Sequence, residues 1–297
     1  MEVRLTPVDT DLAGRIRSLY DATTGGWVDV WGEHLHHGFY PEGRRSAGLD
    51  DHRRAQVEMI DQLLAWGRRP DDRPVRRILD AGCGVGGSSR HLADATSAEV
   101  LGLTLSPVQR RIAEERSGPR GDLRFEVRDA TATGRPEASF DLIWALESAE
   151  HMPDKAAFLA EAMRLLAPGG RLTLATWCHR PVPPELEPSE RGLLDGVSRS
   201  YGRSLTWVPL ADYPAALDAL GAEDVRTDDW SFAVKPFWGA VLRSALSPRG
   251  LWALARGGAP MIRGAYGGMF MRRGLARGTV RYVVVTARKP TVAAGGG

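Results

Sequence analysis

Four glycines in six residues, Gly82-Cys83-Gly84-Val85-Gly86-Gly87, follow a short apolar run ending in an acid, Ile78-Leu79-Asp80, and lead into Ser88-Ser89-Arg90. This is the pattern of a strand, a tight turn and a helix start. Glycine lets the backbone turn sharply and leaves main-chain N–H groups open to a ligand. The spacing Gly82-x-Gly84-x-x-Gly87 also fits the dinucleotide fingerprint, so the loop alone does not choose a cofactor. A dehydrogenase needs an acid about 20 residues past the first glycine to hold a ribose hydroxyl. That position reads Gly102-Leu103-Thr104-Leu105-Ser106, without a carboxylate. Asp129-Ala130 and Trp144-Ala145-Leu146-Glu147 instead put polar groups around the same crevice, which suits a larger ligand with an amino-acid arm.

The elements that must position these residues follow from periodicity. From Val75 onward, strands and helices alternate at the spacing of βαβ units. Strand 76–81 precedes helix 87–95, and strand 99–105 precedes helix 107–117, which Ser106-Pro107 caps and opens. Strand 122–128 ends at Asp129, and strand 140–146 ends at Glu147. Helix 154–167 and the turn Ala167-Pro168-Gly169-Gly170 lead into strand 171–177. The alternation predicts an α/β, doubly wound, mostly parallel sheet with its ligand at the carboxyl ends of the strands.

Upstream, residues 9–22 and 50–67 have helical spacing, with Leu12, Ile16 and Leu19, then Val57, Ile60, Leu63 and Leu64, turned inward. Between them Trp27–Tyr40 is dense in aromatics and imidazoles without clear period and reads as an ordered loop. Beyond Trp177 come a proline-rich stretch, a helix near 189–201, helix 211–220, strand 222–231 and a last strand 281–287. The interruptions at 178–206 and 235–278 are candidate substrate lids, because long inserts in compact domains are usually functional. The chain thus divides into N-terminal helices and a covering flap (1–70), a cofactor-binding core (71–177), a completion of the sheet carrying the lids (178–290) and a flexible tail (291–297).

A chain of 297 residues, 43% of them hydrophobic, can bury a large core. Two distant cysteines, Cys83 and Cys178, give no disulfide framework, and no apolar run approaches a membrane span, so a cytoplasmic protein is expected. Charge is uneven. All 37 acidic residues precede Trp230, and 11 of the 39 basic residues follow it. Such a basic, apolar-rich segment can face an anionic membrane surface, so peripheral contact there is an open reading. It carries no appended RNA-binding motif, so no nucleic-acid partner is expected, and the oligomeric state is not legible.

Ile78–Ser89, Leu103-Thr104-Leu105-Ser106-Pro107-Val108-Gln109, Glu147-Ser148-Ala149-Glu150-His151-Met152-Pro153-Asp154 and Thr176-Trp177-Cys178-His179-Arg180 resemble the class I S-adenosylmethionine-dependent methyltransferases. Within them the likeness is to the tocopherol C-methyltransferases and their sterol, alkaloid and natural-product relatives. Asp229-Trp230, Pro236-Phe237-Trp238, Arg243-Ser244-Ala245-Leu246 and Arg288-Lys289-Pro290 extend it beyond the cofactor half. The resemblance implies a seven-stranded Rossmann-like sheet with helical lids and S-adenosylmethionine as cofactor. It also implies that Gly82, Cys83 and Gly84 pack against the methionine arm, with Asp80 supporting the loop. Thr104, Leu105 and Gln109 would lie by the ribose and adenine, Asp129 and Ala130 by the adenine, and Ala145 and Leu146 by the methionine. The Glu33–His37 segment, with Tyr20, resembles a flap closing over the cofactor, where Tyr20, Trp31 or Trp144 could face a sulfonium.

Methyl transfer from a sulfonium is an in-line displacement, and it needs a base only where the acceptor must lose a proton. His151, after the fourth strand, is the leading candidate base, with Glu147 and Glu150 to orient it or act through water. His179, after the fifth strand, is the second. Glu33-His34-Leu35-His36-His37 lacks a complete ligand set at metal spacing, so no metal is expected. The favoured acceptor is a lipophilic aromatic or prenylated small molecule of specialised metabolism, methylated on carbon. N- or O-methylation of an alkaloid or glycosylated product, and promotion of a cyclisation, are the alternatives.

Overall fold

The computed structural model describes residues 12–44, 49–239 and 266–291. In chain order its elements are α1 (Leu12–Trp31), α2 (Leu49–Gly67), β1 (Arg77–Ala81), α3 (Gly87–Thr96), β2 (Glu99–Thr104), α4 (Pro107–Ser117), β3 (Leu123–Val127) and β4 (Phe140–Leu146). A 3-10 turn at Ala149–His151 precedes α5 (Lys155–Leu165), β5 (Leu166–His179), α6 (Pro188–Ser200), α7 (Asp212–Ala219), β6 (Glu223–Asp229), α8 (Ser231–Val234), α9 (266–277) and β7 (Val280–Arg288).

The seven strands form one sheet in the order β3-β2-β1-β4-β5-β7-β6. β1 through β5 run parallel, and β7 lies antiparallel between β5 and β6. The order reverses between β1 and β4: the chain winds outward through β2 and β3, then returns to the other side. Crossover helices leave that point in opposite directions, so a crevice opens at the carboxyl ends of β1 and β4. The glycine loop and Glu147 both start there. The doubly wound, mostly parallel seven-stranded architecture follows the reading from alternation and resemblance.

Local signals account for most boundaries. The Ser106 hydroxyl accepts from Gln109 N at 3.0 Å and Pro107 opens α4, while Asp154 accepts from Ala157 N at 2.9 Å to start α5. β4 is buried at every position, as a central parallel strand must be. Each face of the sheet carries its own apolar cluster, one with α2 and the aromatic groups Trp144, Trp177 and Trp230, the other with α5 and α7.

Two expectations need correcting. α1 does not stop near residue 22 but runs to Trp31, taking in the first part of the segment read as loop. Gly25 and Gly26 suggest a break there, yet the Thr23 and Thr24 hydroxyls donate back to Leu19 O (2.8 Å) and Tyr20 O (2.6 Å) and the helix packs on α4. It ends where Gly32, at φ 89°, donates to Val28 O at 2.9 Å, the usual left-handed stop. The Ala167–Gly170 turn is instead a bulged start of β5, stapled by Gly169 N to Lys289 O and Lys289 N to Gly170 O, both 2.9 Å. The 235–278 interruption is described at its two ends only; its middle, with Arg243–Leu246, lies outside the described residues, as does the side chain of Trp31.

Candidate active site

A cavity of about 710 Å³ occupies the crevice. One end is a slot across three adjacent strand ends: Asp80 and Gly82–Gly84 after β1, Thr104, Leu105 and Gln109 at β2, and Asp129–Ala130 past β3. The other is an aromatic chamber walled by Trp177, Tyr201, Phe237, Trp238 and Met271. Both candidate lids reach it, through Tyr201 and Leu205 from the first and Phe237, Trp238 and Met271 from the second.

The glycine loop is fixed from below. Gly82 N and Cys83 N both donate to Leu103 O, at 2.9 and 2.8 Å. Asp80 is 1% exposed and accepts from the Ser89 hydroxyl at 2.6 Å, tying the loop to the start of α3. Burial pushes the Asp80 carboxyl up to about 7, with the Ser89 hydrogen bond opposing. Burial also pushes the Cys83 thiol well up, so Cys83 acts by shape and not as a nucleophile.

At β2 the polar atoms face one another. The Thr104 hydroxyl donates to Gln109 Oε1 at 2.7 Å and accepts from Ser106 N at 3.1 Å, and Gln109 Nε2 reaches Thr24 of α1 at 3.4 Å. Ser106 donates to Asp21 of α1. Thr104 and Gln109 thus line the slot and also fasten α1 across it. Asp129 Oδ1 accepts from Thr131 N and Oγ1, at 2.8 and 2.7 Å, which shapes the loop after β3.

The imidazoles separate into two settings. His151 Nδ1 lies 3.1 Å from Ser204 O, a group that only accepts, so Nδ1 carries the proton and Nε2 accepts from the Tyr20 hydroxyl at 2.8 Å. Burial lowers the His151 pKa to about 4 and drives the Tyr20 phenol up. Glu147, read as a group to orient His151, turns elsewhere. Its Oε2 is 2.7 Å from His37 Nδ1, and its Oε1 accepts from His37 N at 2.7 Å and from the Tyr282 hydroxyl at 3.0 Å. Burial would raise the Glu147 carboxyl, but the neighbouring His37 and its hydrogen bonds outweigh that and hold it below the ordinary range. Glu150 accepts from Thr176 at 2.8 Å; burial first, then the charge of Glu147, pushes its carboxyl up.

Of the residues singled out from sequence, Asp80, Gly82, Cys83, Gly84, Thr104, Leu105, Gln109, Asp129, Ala130, Leu146, Glu147, Glu150 and His151 meet at this cavity. Ala145, Trp144 and His179 do not. Ala145 and Trp144 are wholly buried in the two apolar clusters flanking the sheet, where β4 side chains alternate faces. His179 is past the crevice, its Nδ1 2.7 Å from Arg180 O and its backbone N on Val208 O, because β5 runs on beyond the level of the glycine loop. Sequence reasoning missed His37 as partner of Glu147, and Tyr282, which had read only as part of an apolar last strand. No local spacing links residues 110 positions apart; the density of imidazoles and aromatics in Trp27–Tyr40 was the available signal. The flap that holds His37 is pinned to α2, where Gln56 Nε2 donates to His34 O and His36 O at 2.8 Å each and Phe39 N to Ala55 O at 2.8 Å. Among the described residues no group of three or more potential ligands could hold a metal ion.

A family model described as "Methyltransferase domain" matches residues 79–174, from β1 into β5. The chain is 43% identical over 283 residues to "Probable tocopherol O-methyltransferase, chloroplastic" of Oryza sativa subsp. japonica, covering 93% of this chain and 78% of the relative. It is 32% identical to "Ajmaline N-methyltransferase" of Rauvolfia serpentina, covering 92% and 97%. Among solved structures, a geranyl diphosphate methyltransferase in complex with GPP and sinefungin superposes with a TM-score of 0.74 at 20% identity, over 94% of this chain and 100% of the other.

Proposed function

The chain belongs to the class I S-adenosylmethionine-dependent methyltransferases, alongside the tocopherol methyltransferases, and we propose that it methylates a ring carbon of a lipophilic, prenylated phenol or hydroquinone in specialised metabolism. The observation that carries this reading is the division of the cavity. A polar-edged slot leads into a chamber whose aromatic walls stand with His37, His151, Glu147 and Glu150. An acceptor with a flat apolar body and one ionisable group matches that chamber.

S-adenosylmethionine is the cofactor, and the slot fits it. Three neighbouring strands put about 10 Å between the ends of β1 and β3, the length over which an elongated ligand must lie. A Cβ built on Gly84 would meet nothing nearer than Leu35 Cδ1 at 3.9 Å, so the loop leaves an open cradle at its crest. Gly82–Gly84 and Asp80 would hold the methionine arm, Leu105 and Ala130 the faces of the base. When bound, the cofactor supplies an electrophilic methyl group on a sulfonium.

The chain's own residues do the rest. α1, fastened by Asp21 and Thr24, closes the slot against water, and Trp177, Phe237 and Trp238 hold the acceptor's ring in a dry, near-attack position. The acid-free segment after Trp230 is read as a contact with an anionic membrane surface, from which a lipophilic acceptor is drawn. Likeness to an alkaloid N-methyltransferase along nearly its whole length supports amine methylation as the second reading. The test is incubation of the enzyme and labelled cofactor with a panel of phenols, indoles and amines. A product heavier by one methylene, with the new methyl on a ring carbon by NMR, is expected. A methyl on oxygen or nitrogen, or a product of unchanged mass, overturns carbon methylation.

A further inference from the structure

We propose that His37 is the group that takes the proton from the acceptor, with Glu147 and Tyr282 holding it in the competent tautomer. The proposal rests on the acceptor being a phenol or hydroquinone, as read above.

A carboxylate only accepts hydrogen bonds, so in the neutral imidazole the 2.7 Å contact between His37 Nδ1 and Glu147 Oε2 puts the proton on Nδ1 and leaves the lone pair on Nε2. That Nε2 is buried and has no hydrogen-bond partner among the described residues. The ring lines the aromatic chamber, its centroid 3.9 Å from that of Phe237, 4.9 Å from Trp177 and 5.3 Å from Trp238. An unpartnered polar atom within apolar walls is costly unless a ligand supplies its partner. A phenolic O–H would supply it. The arrangement has the logic of a catalytic triad: a base that faces substrate, and a buried carboxylate behind it that fixes the tautomer and stabilises the imidazolium.

The support behind Glu147 is equally specific. Glu147 sits at φ 54°, a left-handed conformation that a non-glycine residue keeps only where its surroundings hold it. Here Tyr282 on β7 donates to Oε1, the His37 N–H donates to the same oxygen, and Glu147 N donates to Ala175 O at 2.8 Å. The other titratable groups around the pair are His36 in the flap, His52 of α2, whose ring lies 4.8 Å from Phe237, and Glu150. Three further imidazoles line the cavity: both nitrogens of His151 already have partners in Tyr20 and Ser204, and neither His34 nor His36 has a carboxylate hydrogen-bonded to its ring among the described residues.

One proton leaves the acceptor for each methyl gained. The O–H bond breaks with its proton passing to His37 Nε2, and the electron pair left on oxygen is shared with the ortho or para ring carbon. That carbon bonds to the methyl as the S–CH3 bond breaks with its pair remaining on sulfur. The ring C–H proton then passes to solvent water, its bonding pair restoring the aromatic ring, and the oxygen regains a proton from the imidazolium. The net change is one ring C–H exchanged for C–CH3 and one proton released.

The test compares His37→Gln, Glu147→Gln and His151→Gln with the wild type on phenols of graded acidity, with S-adenosylhomocysteine affinity measured separately. His37→Gln should lower kcat on a weakly acidic phenol by about 10²–10⁴-fold with cofactor affinity unchanged. The deficit should shrink toward unity on a nitro-substituted phenol already ionised at the assay pH, a recovery that a packing role would not give. Equal deficits on all phenols, or a larger one in His151→Gln, overturn the proposal. A second readout needs no turnover: ¹⁵N shifts of His37 should report the Nδ1–H tautomer in the wild type and its loss in Glu147→Gln. A wild-type Nε2–H tautomer overturns the proposal. A wild type inert toward every phenol overturns the acceptor reading instead, and the ¹⁵N measurement then decides on His37.

Discussion

Replacing Gly82 with alanine tests how tightly the glycine loop is built into the site. Gly82 sits at φ 93°, where a Cβ costs roughly 1–2 kcal/mol in backbone strain. A Cβ there would also overlap the Cβ of Ser148 and approach its Oγ to 2.8 Å. Neither side can yield cheaply. Gly82 N and Cys83 N are held on Leu103 O, and the Ser148 hydroxyl is held on Ala81 O at 2.5 Å. Overpacking between fixed backbones adds about 1–3 kcal/mol, so the total is about 2–5 kcal/mol against a whole-protein stability of about 5–15 kcal/mol. For a chain of this size the melting temperature should fall by about 3–8 °C. Gly84→Ala is the control, since its φ of 53° carries strain without overlap. It should lose about 1–2 kcal/mol yet weaken cofactor binding, because its new methyl enters the cradle. Thermal unfolding and S-adenosylhomocysteine titration by tryptophan fluorescence separate the two effects. Adding Ser148→Gly to Gly82→Ala should return the steric part of the loss. A Gly82→Ala protein melting within a degree of wild type, or Gly84→Ala melting lower than Gly82→Ala, would refute the account of the loop.

Asp80 gives the ligand-free enzyme a pH-dependent stability. Its carboxyl is raised from 3.8 to about 7, so the folded protein keeps a proton that the unfolded chain has already shed. Stability from this group is therefore full below about pH 4, falls by up to about 1.4 kcal/mol per pH unit between about 4 and 7, and is flat above. Asp80→Asn, which can still accept from Ser89, should remove that fall, so urea unfolding at pH 8 should find it more stable than wild type and at pH 4 equal to it. Tyr20→Phe strands the Nε2 of a buried imidazole and should cost about 1–3 kcal/mol, read by the same urea titration; no loss would mean that Tyr20 does not fasten α1 over His151. Helix α9 exposes Tyr266 and Met269, each 60% accessible, beside Arg272, Arg273 and Arg277. Sedimentation with vesicles containing anionic lipid should find binding that weakens with salt and with Arg272→Glu/Arg273→Glu; equal binding to neutral vesicles would remove the electrostatic contact.

The parts of this protein legible in its sequence are those written in local chemistry. Strand 140–146, the cap pair Ser106-Pro107, the end of α2 at residue 67 and the loop at Gly82–Gly87 each rest on a few neighbouring residues, and each occurs where the pattern put it, whereas β5, expected at 171–177, spans Leu166–His179. The slot was legible for the same reason, since a βα turn carries its own ligand-binding groups to one end of the sheet. α1 outruns its expected end because tertiary packing on α4 overrides the low helix propensity of Gly25 and Gly26. Ala145 was assigned to the cofactor by position along β4; its side chain lies in the apolar cluster on one face of the sheet and does not line the cavity.

The chamber was the least legible, because nothing in it is local. His37 comes from the flap, Glu147 from the end of β4, Trp177 from β5, Phe237 and Trp238 from the segment after α8, and Tyr282 from β7. The sequence showed Glu147 three residues from Glu150 and four from His151, which invites the reading of one catalytic cluster. The fold separates that cluster. Glu147, held at φ 54° two residues before the 3-10 turn, swings its carboxylate across to the flap, while His151 at the turn's far end faces α1. One short run of sequence therefore supports two imidazoles on opposite sides of the cavity. The one whose lone pair is open is the one that proximity in sequence could not have paired.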